Sequence, residues 1–236
     1  MTHYPGGKKR IGQEIAEEIY DWSLGYEEQT GIKLKGYCEP FCGMLGVYQH
    51  IPALFDETRP KMRYLAGDRD PTVICMWKAA QKGWNPPRSC TEEKFYRLKK
   101  TKDKITPEKA FLGRAAAYRN MYFYTYCDFN NIPVQADNVQ ETGDELYDVK
   151  FLAGEYTQFS RLKNFTIYCD PPYRNTSCKY FDENQRQSGS FDTKKFDTWC
   201  KKMSENNVVF ASEYRMPKQF KKIWSHGKEK LNIFQR

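Results

Sequence analysis

The feature that most constrains this chain is a short apolar strand that is forbidden to continue. Phe165, Thr166, Ile167, Tyr168 and Cys169 stand directly before Asp170, Pro171, Pro172 and Tyr173. Aromatic and β-branched residues favour a strand, and the run is too short for a free-standing helix, so it reads as a buried strand. Two successive prolines fix φ and donate no hydrogen bond. The ladder therefore ends at Pro171, and Asp170 and Tyr173 are held on a stiff turn at the strand's C-terminal edge. In an open α/β sheet that edge is where ligands bind.

The remainder of the chain supplies the sheet. From Lys9 to Trp22, Ile11, Ile15 and Ile19 recur four apart with Glu14, Glu17 and Glu18 on the other face, which predicts an amphipathic helix. KGYCEPF reads as a short strand, followed by the turn CGMLG and a helix through Val47 and Tyr48. RYLAGD reads as a strand ending in Asp68. Pro71 suits the first turn of the next helix, which Gly83 can close. Beyond Phe165, a helix from Asp192 carries Phe196, Trp199, Cys200 and Met203 on one face, and NNVVFASEY supplies another buried strand. Strands alternating with helices imply an α/β fold with a doubly wound, parallel, Rossmann-like sheet.

The pattern is interrupted after NPPRSC. Thr91 to Thr142 is rich in Lys, Arg, Tyr and Phe without a clear strand. Thr106-Pro107-Glu108 starts a helix that can run on through EKAFLGRAAAYRNMYFYTY, and a tyrosine-lined helical core accounts for most of these rings. This divides the chain into a sheet-bearing domain, 1–85 and 156–236, and a helical insertion, 86–155. The polar stretch 182–190 is expected to order when a partner binds.

Composition narrows the partner. The net charge is +8 and aromatics make up 16% of the residues, a pairing that suits a polyanion whose bases can be stacked upon. No apolar run approaches the roughly 20 residues of a membrane span. The polar, basic start MTHYPGGKKR leads into no signal core, so export is not expected and a cellular interior is. The eight cysteines are scattered without a CxxC pair, so they are expected to be reduced. Cys38, Cys42 and His50 match no ordinary zinc spacing, and no metal is expected.

Three further clusters adjoin the predicted strands. In YPGGK, paired glycines allow close backbone approach to a ligand and Lys8 adds a cation at a helix start. In EPFCGMLG, a strand ends in an acid, an aromatic ring and a glycine. Asp68 ends the next strand, where a carboxylate can accept from both hydroxyls of a ribose.

Together, YPGGK, EPFCG, GDRD and CDPPY, in this order, resemble the Dam-like DNA adenine-N6 methyltransferases of the D12 class, alpha group. The resemblance spans roughly residues 3–84 and 160–225; the middle region matches only in position. It implies a seven-stranded sheet with one antiparallel strand near the C-terminus. It also implies S-adenosylmethionine as methyl donor, bound by Tyr4, Gly7, Lys8, Glu39, Phe41, Gly43, Asp68 and Asp170, and a catalytic turn formed by Asp170, Pro171, Pro172 and Tyr173. Double-stranded DNA is the implied substrate, with Arg114, Arg119, Arg174 and Lys179 as contact candidates, and a cognate restriction endonuclease is compatible with it. The turn CGMLG departs from the smaller, glycine- or serine-rich turn of many relatives, so Met44 and Leu45 are expected to crowd or reshape the donor cleft.

The implied chemistry answers the opening puzzle. Adenine's exocyclic amine is a poor nucleophile because its lone pair is delocalised into the ring. Asp170 and the Pro171 carbonyl can each accept one N–H and localise that pair. Transfer is then direct and in line, on a base flipped from the duplex and stacked on Tyr173. Two alternatives stay open at this stage: a binding module that has lost turnover, and an enzyme acting on cytosine N4 or on RNA adenine.

Overall fold

The computed structural model describes residues 8–56, 61–101, 104–172, 191–213 and 216–234. Tyr4, Gly7, Tyr173, Arg174, Lys179 and the stretch 182–190 lie outside the described residues. Two compact units emerge. One is formed by Asp70–Tyr147; the other by Lys8–Arg69 with the described residues that follow Asp148.

The second unit holds a seven-stranded sheet in the order β3-β2-β1-β4-β5-β7-β6. Its strands are β1 (Gly36–Glu39), β2 (Arg63–Asp68), β3 (Val149–Ala153), β4 (Phe165–Cys169), β5 (Val208–Ser212), β6 (Phe220–His226) and β7 (Glu229–Phe234). The pairs from β3 through β5 are all parallel. β7 runs antiparallel to both β5 and β6, which makes it the one reversed strand.

Each residue of β4 is buried, and the two-residue period of a strand explains how. Phe165, Ile167 and Cys169 join a cluster with Phe196, Trp199, Cys200 and Met203 of helix α7 (Thr193–Met203). The alternate residue Thr166 meets Ser23 of helix α1 (Gly12–Thr30) across a 2.9 Å hydroxyl contact. The strand is thus covered on both faces. Helix α1 buries Ile15, Ala16, Ile19, Ser23 and Glu27 at three- and four-residue spacing, and runs past Trp22 to Gly31, whose φ of 70° ends it. After β1 comes a short 3-10 turn, Tyr48–His50, leading into α2 (Ile51–Phe55).

Strand β3 was not among the expected strands; of its five residues Val149 and Phe151 are buried, on either side of the exposed Lys150. Its pairing with β2 makes it a strand.

The first unit contains α3 (Pro71–Ala80), α4 (Glu92–Lys100), α5 (Pro107–Ala115) and α6 (Ile132–Asp144). Their starts follow capping chemistry: Asp70, Thr91, Thr106 and Asn131 each accept a hydrogen bond from a backbone N–H in the first turn. Helix α5 does not continue through the tyrosines as its composition suggests. It stops at Ala115, and the chain folds back so that the Tyr122 and Phe123 rings occupy the space a side chain at Gly113 would need. The Phe123 N–H bonds the Gly113 carbonyl, and the Asn130 amide donates to the carbonyls of Ala115 and Ala117, satisfying acceptors that the broken helix leaves over. Among the described residues, no helix is long and apolar enough to cross a membrane.

Candidate active site

Three parallel strands deliver acids to one edge of the sheet. β1 lies between β2 and β4, and the three end in Glu39, Asp68 and, one residue past its last strand position, Asp170. Crossover connections leave β1 and β4 in opposite directions along the sheet, the topological switch point at which open α/β sheets bind ligands.

Lys8 reaches this edge from the start of the second unit. Glycine permits its approach: a side-chain carbon on Gly12 would lie 1.9 Å from the Gly46 carbonyl oxygen, and one on Gly46 would press the Lys8 and Lys9 backbone at 3.0–3.1 Å. Lys8 is buried, with Nζ 3.0 Å from Asp170 Oδ1 and 3.5 Å from Glu229 Oε2. The last of these carboxylates was absent from the sequence-based expectation. It comes from the β6–β7 hairpin, and the glycine in His226-Gly227-Lys228-Glu229 was the available signal for that turn. Pro171 is buried and Pro172 half-buried, so the turn after Asp170 is stiff by composition and packed in place.

Glu39 sits deeper. It is almost wholly enclosed and accepts a 2.7 Å hydrogen bond from the Tyr37 hydroxyl. Burial pushes its carboxyl up to about 8, with Asp170 adding to the rise and the Tyr37 bond opposing it. Burial and the neighbouring Glu39 likewise push the Tyr37 phenol up. On the same face of the sheet, Tyr168 and Ser212 share a hydroxyl contact of 2.9 Å.

The turn after β1 is tied to β2 in two places. The Cys42 N–H donates to the Gly67 carbonyl at 2.8 Å, and the Gly43 N–H to Asp68 Oδ2 at 3.0 Å. Gly43 takes φ 45°, in the left-handed region that glycine adopts without cost, and Leu45 takes 56°. Leu45 is fully withdrawn into the core, so of the two bulky residues in this turn Met44 alone keeps partial exposure. Phe41 stacks on Tyr156 at 5.4 Å and meets Phe191 and Phe196 edge-on. The buried Tyr156 hydroxyl has no hydrogen-bond partner among the described residues.

The described DNA-contact candidates divide. Arg114 is 6% exposed: its guanidinium pairs with Asp70, donates to Thr72 Oγ1 at 2.7 Å and to the Ala110 carbonyl at 2.8 Å, and lies 4.5 Å from the Tyr122 ring centre. It ties the start of α3 to α5, and a phosphate contact would require that array to break. Arg119 is exposed, with its guanidinium over the Tyr118 ring at 5.4 Å.

A mostly parallel seven-stranded sheet with acids at its switch point and a reversed strand next to β5 is a Rossmann-like α/β arrangement. Residues 120–235 match the family model described as D12 class N6 adenine-specific DNA methyltransferase. No curated protein sequence matches. Two solved structures of the rRNA methyltransferase aviRa from Streptomyces viridochromogenes are similar at 11% identity, with TM-scores of 0.44 and 0.43. The alignments cover 99% and 93% of this chain and 87% and 83% of theirs.

Proposed function

We propose that the protein transfers a methyl group from S-adenosylmethionine to the N6 amino group of adenine in duplex DNA, at a site-specific target. The observation that carries this reading is Asp170, held on a packed proline turn at the sheet's switch point with Lys8 3.0 Å away and Glu39 nearby. A carboxylate so placed accepts one amino N–H, and the Pro171 carbonyl accepts the other. Together they hold the nitrogen lone pair out of conjugation and aim it. The amine keeps its protons during attack and becomes acidic afterwards, when Asp170 or water takes one.

The residues present suit the donor. Among the described residues, Asp170 and Glu229 both meet the Lys8 ammonium, which places carboxylates at the edge where a cationic donor would sit. The glycine-bearing turn 42–46, Asp68, Phe41 and the Tyr156 hydroxyl, which has no hydrogen-bond partner among the described residues, offer close backbone approach, a ribose acceptor, a ring and a polar contact. S-adenosylmethionine supplies, when bound, a methyl group on a sulfonium sulfur.

The net charge of +8 favours a nucleic-acid substrate, and Tyr173 is assigned the face on which an extruded adenine stacks. Arg119 beside Tyr118, with the exposed Tyr124 and Phe129, forms a basic and aromatic surface on the first unit suited to DNA. A partner restriction endonuclease is compatible with such an activity. Incubation with labelled S-adenosylmethionine and duplex DNA or RNA, followed by mass spectrometry of the nucleosides, tests the reading. N6-methyladenine from duplex DNA is the expected product; N4-methylcytosine, methylated RNA alone, or no product overturns it.

A further inference from the structure

Glu229 stands at the first residue of β7, opposite His226 across a hairpin whose turn holds Gly227 at φ 57°. It is 30% exposed, against 5% for Lys8 and 19% for Asp170. An ammonium this deeply buried needs an anion beside it, because an unpaired buried charge is strongly destabilising. Among the described residues both carboxylates meet this ammonium, and only Asp170 adjoins the proline turn.

The geometry points to Glu229 as a positioning residue that draws the Lys8 ammonium off Asp170 when a substrate amino group arrives. This rests on the reading above, in which Asp170 accepts an N–H from that group. With Lys8 against it, the Asp170 carboxylate already spends acceptor strength on a charge-assisted hydrogen bond. A second carboxylate 3.5 Å from the same nitrogen lets the ammonium move without losing an anionic partner. No covalent bond changes and no proton is transferred in this step; one hydrogen bond shifts from Asp170 to Glu229.

The test is Glu229→Gln in the full chain, which keeps size and hairpin while removing the charge. At saturating donor and DNA, single-turnover methylation falls about tenfold, below the roughly 10²–10⁴-fold of a directly acting acid–base group. The loss lies in kcat rather than KM, and Glu229→Asp restores part of it. In a Lys8→Met background the Glu229→Gln substitution adds nothing, since it acts through the ammonium. An unchanged rate, or an equal loss with and without Lys8, overturns the proposal. The side-chain ammonium resonance of Lys8, followed by NMR in the ligand-free protein, gives a readout independent of turnover: it moves on Glu229→Gln, and a stationary resonance overturns the proposal. If the unsubstituted chain methylates no nucleic acid, the reading of function fails, and with it the hand-over of Lys8. A moving Lys8 resonance then identifies the failure as one of function and not of the Glu229–Lys8 contact.

Discussion

The Tyr37 hydroxyl donates to the Glu39 carboxyl across 2.7 Å, and both residues are sealed inside the sheet. Because burial pushes Glu39 up to about 8, the folded chain binds a proton that the unfolded chain has already lost above the ordinary range near ~4.3. Stability supplied by that proton is full below the unfolded value and is lost as pH rises through the folded one. Glu39→Gln removes this slope. Melting temperature measured from about pH 5 to 8 falls less steeply in the variant, which gains on the parent chain at the upper end. Identical slopes would place Glu39 in the ordinary carboxylate range.

Asp170→Ala abolishes methyl transfer, a loss beyond the roughly 10²-fold minimum of a positioned proton-handling group. Binding of S-adenosylmethionine stays measurable by calorimetry. Turnover retained in the variant would remove Asp170 from its assigned role.

Two glycines of α1 respond in opposite directions to alanine. Gly12→Ala drives a carbon to within 1.9 Å of the Gly46 carbonyl and destabilises the fold by about 1–3 kcal/mol, the cost of overpacking. Gly25 has no atom within 4 Å of the added carbon, so Gly25→Ala stabilises by about 0.5–1 kcal/mol through helix propensity. Chemical denaturation of the two variants distinguishes these signs.

Arg114→Ala removes the buried guanidinium from Asp70, Thr72 and the Ala110 carbonyl and costs about 3 kcal/mol or more, as breaking a buried ion pair does. Arg119→Ala leaves stability within about 0.5 kcal/mol. If Arg119 meets a phosphate, its loss also reduces the salt dependence of DNA binding by about one unit of slope. A denaturation curve and a salt titration on each variant separate the two arginines.

The elements that the sequence announced are those whose signals are local. FTIYC and RYLAGD carry their burial in consecutive residues, and Asp70, Thr106 and Asp192 mark helix starts through a side chain three or fewer positions away. What stayed hidden depends on distant partners. VKFLA becomes a strand because β2 pairs with it, and α5 stops because Phe123 returns to Gly113. The same division holds at the site. Lys8, Glu39, Asp68 and Asp170 stand in recognisable motifs, whereas Glu229 reaches the cluster only because the hairpin is inserted beside β5. Arg114 shows the converse: as a letter it is a surface cation, and only tertiary packing reveals a buried tie.

The reversed strand also imposes an order on assembly. β7 sits between β5 and β6, yet it follows both in the chain, so the sheet closes only when the last strand inserts beside β5. Glu229 travels with that strand. During synthesis, Lys8 and Asp170 therefore leave the ribosome long before their shared cluster is complete, and a chain interrupted after β5 lacks both the reversed strand and the second anchor for Lys8.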